Sequence, residues 1–181
     1  MGDLSSIRIT PPKPAFINTG VAYAGPIHIH TSNERGHHSH KAWICIFVCG
    51  ASHSVHLELF SDCTAEAFIV AYICFTSRLS LFRTLSSDED TNFWRFNPPA
   101  ALHFGGLWEA AVKSTKFHLH RVIGDSTLTF EEMTTLLTQI EACLNSRPLI
   151  AQSDDPTYIS ALTPGHFLIG GPLHAVPKHR L

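Results

Sequence analysis

Ala42-Trp43-Ile44-Cys45-Ile46-Phe47-Val48-Cys49, followed after the turn Gly50 to Ser54 by Val55-His56-Leu57-Glu58-Leu59, is the stretch on which the fold turns. The first segment is continuously apolar, rich in β-branched and aromatic residues, and only eight residues long. That pattern fits a strand buried on both faces. The second segment alternates apolar with polar residues and reads as a half-exposed partner strand. The short connection makes the two an antiparallel hairpin.

Toward the N-terminus, residues 15 to 29 read as another strand with a bend at Gly25-Pro26, and His30 to His40 as a polar, His-rich turn. Residues 1 to 14 contain Pro11, Pro12 and Pro14, which remove backbone donors and leave an extended lead-in. Toward the C-terminus, Asp62 or Thr64 can cap a helix whose Ala65, Phe68, Ile69, Tyr72, Ile73, Thr76 and Leu79 recur on one face. Thr84 to Ser87 reads as a short strand entering Asp88-Glu89-Asp90, and Trp94-Arg95-Phe96 as another, ended by Pro98-Pro99. Beyond Gly105-Gly106, Leu107 to Ile123 is helical in pattern. Leu107, Ala110, Ala111 and Phe117 fall on one side; Lys113, Lys116 and His120 share another, which suits contact with phosphate. Trp108 is expected in the core. Gly124 ends this helix, and Thr129 with Glu132 forms a capping box for the next. Its apolar stripe is Phe130, Met133, Leu136, Leu137, Ile140, Cys143 and Leu144, closed by Arg147-Pro148. Prolines 156, 164, 172 and 177 among glycines predict an irregular, extended tail. The order of elements is mixed α/β around one sheet, with a domain over 15 to 148 between the lead-in 1 to 14 and an irregular extension from 149 to 181.

Composition narrows the function. Of 181 residues, 44% are hydrophobic and 15% charged, enough to bury one core and too apolar for a disordered chain. Thirteen Lys and Arg against fifteen Asp and Glu leave a net charge of -2, without the basic excess of an autonomous nucleic-acid binder, so DNA affinity must come from local patches. Five cysteines, odd in number and without a C-x-x-C spacing, indicate neither a disulfide framework nor a zinc finger and suggest a reducing, intracellular setting. They sit in apolar strand or helix patterns, where buried thiols are usually inert, which argues against a nucleophilic Cys/His site. His28 with His30, and His37 and His38 with His40, could in principle meet a metal, but no second pair stands at finger-like spacing. No apolar run reaches the roughly 20 residues of a membrane helix. The opening Met1 to Ser6 matches a loose myristoylation pattern without the second signal that anchoring requires.

Several segments together resemble one family. They are Thr19-Gly20-Val21-Ala22-Tyr23-Ala24-Gly25-Pro26, Val55 to Leu59, Ser87-Asp88-Glu89-Asp90-Thr91-Asn92-Phe93, His103-Phe104-Gly105-Gly106-Leu107-Trp108-Glu109-Ala110-Ala111-Val112-Lys113-Ser114, Leu144-Asn145-Ser146-Arg147-Pro148-Leu149, and Leu162 to Gly170. In this order they resemble the integrase catalytic core of Pao/BEL-type long-terminal-repeat retrotransposons. The resemblance implies a ribonuclease H-like fold, DNA as partner, a nuclear setting and metal-dependent strand transfer as the family role, with a homo-oligomer left open. It also implies Mg2+ or Mn2+, a pair of ions held by two Asp and one Glu to activate the attacking oxygen and stabilise the leaving one.

Carried over residue by residue, the first Asp position is Ala22, whose methyl cannot ligate a metal. The second falls on Asp88 and the third on Glu109, the expected catalytic and metal residues. Taken alone, Asp88 reads as a loop or capping residue and Glu109 as the i,i+4 partner of Lys113. Lys113 and Lys116 are either a solvated face or the nucleic-acid contacts. Only twenty residues lie between Asp88 and Glu109, fewer than the family pattern, and the helix the family carries there is missing. The step from Phe93 to Trp94 therefore reads as an internal deletion or a splice-prediction artefact, and Met1 as a gene-model start with the family's preceding His/Cys zinc module gone. This copy is expected to be catalytically inactive. The alternative is a co-opted, non-catalytic DNA- or protein-binding module.

Overall fold

The computed structural model describes residues 15–31, 38–79, 81–87, 105–124, 126–151 and 161–173. Strand β1 (Asn18–His30) lies at the centre, with β2 (Ser39–Cys49) antiparallel to it and β3 (Val55–Phe60) antiparallel to β2. Helix α1 (Ala65–Arg78) then crosses the sheet and delivers β4 (Thr84–Ser87) parallel to the other side of β1, so the order is β3-β2-β1-β4. Residues 61 to 83 give that crossover the dozen or more residues that parallel pairing demands. Helix α2 (Gly105–Ile123) follows, then β5 (Leu128–Thr129), which pairs with Ile29 and His30 of β1, and helix α3 (Phe130–Asn145). A two-stranded ribbon, β6 (Ile150–Ala151) with β7 (Ala161–Leu162), precedes α4 (Pro164–Ile169).

The hairpin predicted from Ala42 to Leu59 is present, and β2 is buried on both faces as its pattern demands. Ile44, Ile46 and Val48 join Val55, Leu57 and Leu59 in one apolar cluster with α2 and α3; Cys45, Phe47 and Cys49 join another with Ala71 and Phe75 of α1. Helices thus cover the sheet from both sides. Phe75, fully buried, stacks on Phe47 at 4.4 Å and meets Phe16 edge-on at 5.1 Å. Burying such a ring contributes about 2–3 kcal/mol.

Four expectations need correction. The polar face of β3 is not half-exposed: His56 is 5% exposed, because α1 and Glu141 of α3 close over it. Of the predicted α1 face, Phe68 packs against the core and Tyr72 is half-buried, but the fully inward residues are Ala71 and Phe75, and Ile69 and Ile73 face out. In α2 and α3, Phe117, Ala110, Phe130 and Cys143 are exposed rather than part of the inward stripe. Finally, the tail is not simply extended. Pro164 opens α4, its missing N–H costing nothing at a helix start, and Gly170 closes it in the left-handed conformation, φ 76°. Phe167 and Leu168 pack on the α1-side core.

The predicted caps hold. Thr64 accepts from the Ala67 N–H, and Thr129 and Glu132 form the reciprocal box at α3. The bend at Gly25-Pro26 coincides with a register shift between Ala24 and Ile27. Trp94–Phe96 and the junction near 93–94 lie outside the described residues, as do His37, Asp88 and the lead-in 1 to 14.

Candidate functional site

Ala22 stands on the central strand opposite Ile46 and is 8% exposed. Its methyl belongs to the apolar cluster that includes Leu107, Trp108 and Ala111 of α2. What seats α2 there is Gly20, two residues earlier on the same face of β1: a Cβ at that position would overlap the Trp108 indole, so glycine is the residue that lets the ring lie on the strand. Trp108 is therefore a core residue, 3% exposed. Glu109, one residue on, is exposed. On the other edge of β1, Ser87 pairs with Val21, and there the described part of β4 ends, one residue short of Asp88.

The structure thus brings the Ala22 strand and the Glu109 helix together without turning the Glu109 side chain into the cluster. A methyl at position 22 supplies no donor atom. Among the described residues there is no group of three or more His, Cys, Asp or Glu that could hold a metal ion. These residues do not supply the three-carboxylate set that a pair of divalent ions needs.

The outer face of α2 is basic. Lys113, Lys116, His120 and Arg121 are all exposed, while Leu107, Trp108, Ala111, Thr115 and Leu119 turn inward. Thr115 is the polar member of the inward stripe; its hydroxyl donates to the Ala111 carbonyl at 2.8 Å and so costs nothing to bury.

The most elaborate polar arrangement among the described residues was not legible as a site. His56 lies between two carboxylates, Nε2 3.0 Å from Glu58 Oε1 and Nδ1 3.1 Å from Glu141. Arg78 donates to Glu58 at 2.7 Å, and Glu141 also accepts the Leu57 N–H at 2.9 Å. Burial alone would push the imidazole down, but the hydrogen bonds and charges of Glu141 and Glu58 outweigh it and raise its pKa from 6.5 to about 9. The two carboxylates thus favour the protonated form of His56. Next to it, Asn145 accepts the Val55 N–H at 2.8 Å and donates to the Val55 carbonyl at 2.7 Å, while Arg147 donates to the His53 carbonyl at 2.7 Å. Side chains of α3 and its C-terminal turn thereby satisfy the outer edge of β3, which would otherwise offer unpaired backbone groups. Cys45 and Cys49 are buried, and burial pushes the Cys45 thiol up; Cys63 and Cys143 are exposed, against the expectation of apolar shelter.

No family model matches the chain, and no curated protein matches it by sequence. Among solved structures it is similar to a chain of the simian T-cell lymphotropic virus intasome, determined by cryo-electron microscopy in complex with PP2A regulatory subunit B56 gamma. The TM-score is 0.54 at 14% identity, over 90% of this chain and 57% of that one. At that identity the likeness is one of fold. The fold is a mixed α/β sheet with flanking helices, compatible with a ribonuclease H-like architecture. No helix among the described residues is long and apolar enough to cross a membrane.

Proposed function

We propose that the chain is an integrase-like core of the Pao/BEL retrotransposon type that no longer transfers DNA strands and that contacts DNA weakly, without sequence preference, through Lys113 and Lys116 on α2. The observation that carries this reading is Ala22. At the position where the resemblance puts the first metal-binding Asp, a buried methyl belongs to the same apolar cluster as Leu107, Trp108 and Ala111. Asp88 and Glu109 are the two carboxylates that remain, and Mg2+ or Mn2+ has no complete ligand set in this reading. The likeness of fold to a retroviral intasome chain supports the integrase relationship. A nuclear setting follows from the resemblance alone.

The test is a joining assay with a pre-processed duplex end and magnesium or manganese, on the chain itself, on Ala22→Asp, and on Ala22→Asp with a family-like insertion after Phe93. The first two are expected to give no product. Two-ion catalysis needs ligands held to fractions of an ångström, and the missing connection before Glu109 removes that support. The substitution also places a carboxyl group in an apolar cluster at a cost of about 2 kcal/mol. Joining by the chain as it stands would overturn the proposal; joining by Ala22→Asp alone would reduce the damage to one residue. In a duplex titration at two salt concentrations, binding should be weak, fall with salt, and weaken further in Lys113→Ala/Lys116→Ala.

The second reading, a co-opted DNA- or protein-binding module, is favoured by the outward apolar residues Ile69, Val70 and Ile73 of α1. Neighbouring polymerase and protease reading frames between long terminal repeats would mark a relic; an isolated expressed gene would mark co-option.

A further inference from the structure

We propose that Phe117, set among the basic residues on the outer face of α2, is a stacking platform for an unpaired DNA base. The inference deepens the proposed contact between α2 and DNA and rests on it. A single exposed aromatic residue needs no explanation by itself. Phe117 is different in its surroundings. It is 59% exposed near the middle of a 19-residue helix, and helical spacing puts Lys113 one turn before it and His120 and Arg121 one turn after, with Lys116 adjacent. From Lys113 to Arg121 the sequence Lys-Ser-Thr-Lys-Phe-His-Leu-His-Arg contains no acidic residue, in a chain whose net charge is -2. The local field is thus opposite to that of the molecule and complementary to a polyanion.

The ring is also propped. The His118 imidazole stands at 78° to it with centroids 5.6 Å apart. In a T-shaped pair the neighbour covers at most one face of the phenyl ring, so at least one face stays open. Duplex DNA would present phosphates to Lys113, Lys116 and Arg121 but keeps its bases stacked on one another. An unpaired strand offers those phosphates together with a base whose π-face matches the open ring, the combination that single-strand binders use.

The experiment is fluorescence anisotropy of the full chain with a labelled oligothymidylate and with a duplex of equal length, over a range of salt. Phe117→Ala is expected to weaken single-strand binding about tenfold, the order of one stacked base, and to leave duplex binding and the salt slope unchanged. Phe117→Leu keeps the apolar bulk and loses the ring, so it should behave like the Ala variant, whereas Phe117→Trp should retain affinity. Lys113→Ala/Lys116→Ala should weaken both substrates and flatten the single-strand slope by roughly 0.7 for each phosphate no longer neutralised. Because Phe117 is exposed, the variants should melt at the wild-type temperature. Equal binding of both substrates, indifferent to Phe117 but sensitive to the lysines, would overturn the stacking role and leave the phosphate contact standing. If neither substrate bound, the stacking role and the phosphate contact would both be overturned.

Discussion

The edge of β3 and the Ala22 end of β1 belong to the same sheet and are built in opposite ways. At β3, polar side chains of α3 and its C-terminal turn are partnered: buried Asn145 grips both backbone groups of Val55, half-buried Arg147 reaches the His53 carbonyl, and half-buried Glu141 joins His56 to the Leu57 N–H. At β1, the position where the resemblance expects a carboxylate holds a methyl inside an apolar cluster, and Glu109 faces outward. The difference separates two roles that family motifs mix. Leu144 to Leu149 serves the architecture, because without it a sheet edge would be left unpaired. The segments around Ala22 and Glu109 also serve the architecture, through Gly20 and Trp108, while Ala22 offers no donor atom where the resemblance expects a carboxylate. The proposed reading is that this chain keeps the first role without the second.

If that separation is real, the largest effect should come from the clamp. Asn145→Leu keeps the branched shape but strands the Val55 N–H and carbonyl, both on a residue that is 1% exposed. Each unsatisfied buried backbone group costs about 1–3 kcal/mol, so a loss on the order of 4 kcal/mol is expected in urea or thermal unfolding. A loss below about 1 kcal/mol would mean that water or a shifted α3 replaces the amide, and the clamp would not be what holds the edge.

The next effect sharpens the same side of the comparison. The pKa of His56 is raised in the folded state, so its stabilisation is fully present below about 6.5 and is lost as pH rises through about 9. A shift of that size corresponds to about 3 kcal/mol, or a fall in melting temperature on the order of 10 °C between pH 6.5 and 9.5. In His56→Leu that pH dependence should flatten, whatever its absolute stability, because Glu58 and Glu141 then face no titrating partner. An unchanged slope would show that the imidazole is neutral and merely hydrogen-bonded.

How much of this could be read beforehand differs by region. The β2–β3 hairpin was legible because burial on two faces writes itself as an unbroken apolar run. The helices were legible as helices, since Thr64, Thr129 and Glu132 cap them as local chemistry dictates. Their rotation was not. In α2 the inward stripe includes Thr115, whose hydroxyl is satisfied by its own helix, and a search for apolar residues chose Phe117 instead. In α1 small Ala71 marks the inward side while Ile69 and Ile73 face out. Helix α4 was hidden because Pro164 and Gly165 read as breakers, although a proline at the first turn begins a helix. The β3 clamp could not be seen at all: Asn145 and Val55 are 90 residues apart, and a side chain that pairs with backbone leaves no pattern in its partner's sequence. Ala22 was legible only through the resemblance, since alone it is an ordinary strand alanine.

The smallest effect tests the other side of the comparison, and its sign matters more than its size. Glu109→Gln keeps shape and removes one charge from an exposed helix position four residues before Lys113. As a surface residue it should change stability by less than about 0.5 kcal/mol. Its effect on ligands separates the two roles. If Glu109 still served a metal, magnesium would raise the melting temperature of the chain and the substitution would abolish that rise, because a ligand stabilises the state that binds it. If Glu109 is a solvated carboxylate on the rim of a basic face, magnesium should shift neither protein through this residue. Removing its charge should then tighten DNA binding slightly, by about twofold or less, since the α2 face becomes more positive where phosphate approaches. A metal ligand predicts loss on substitution and a rim charge predicts a small gain. The proposed inactive reading of the β1 site requires the gain.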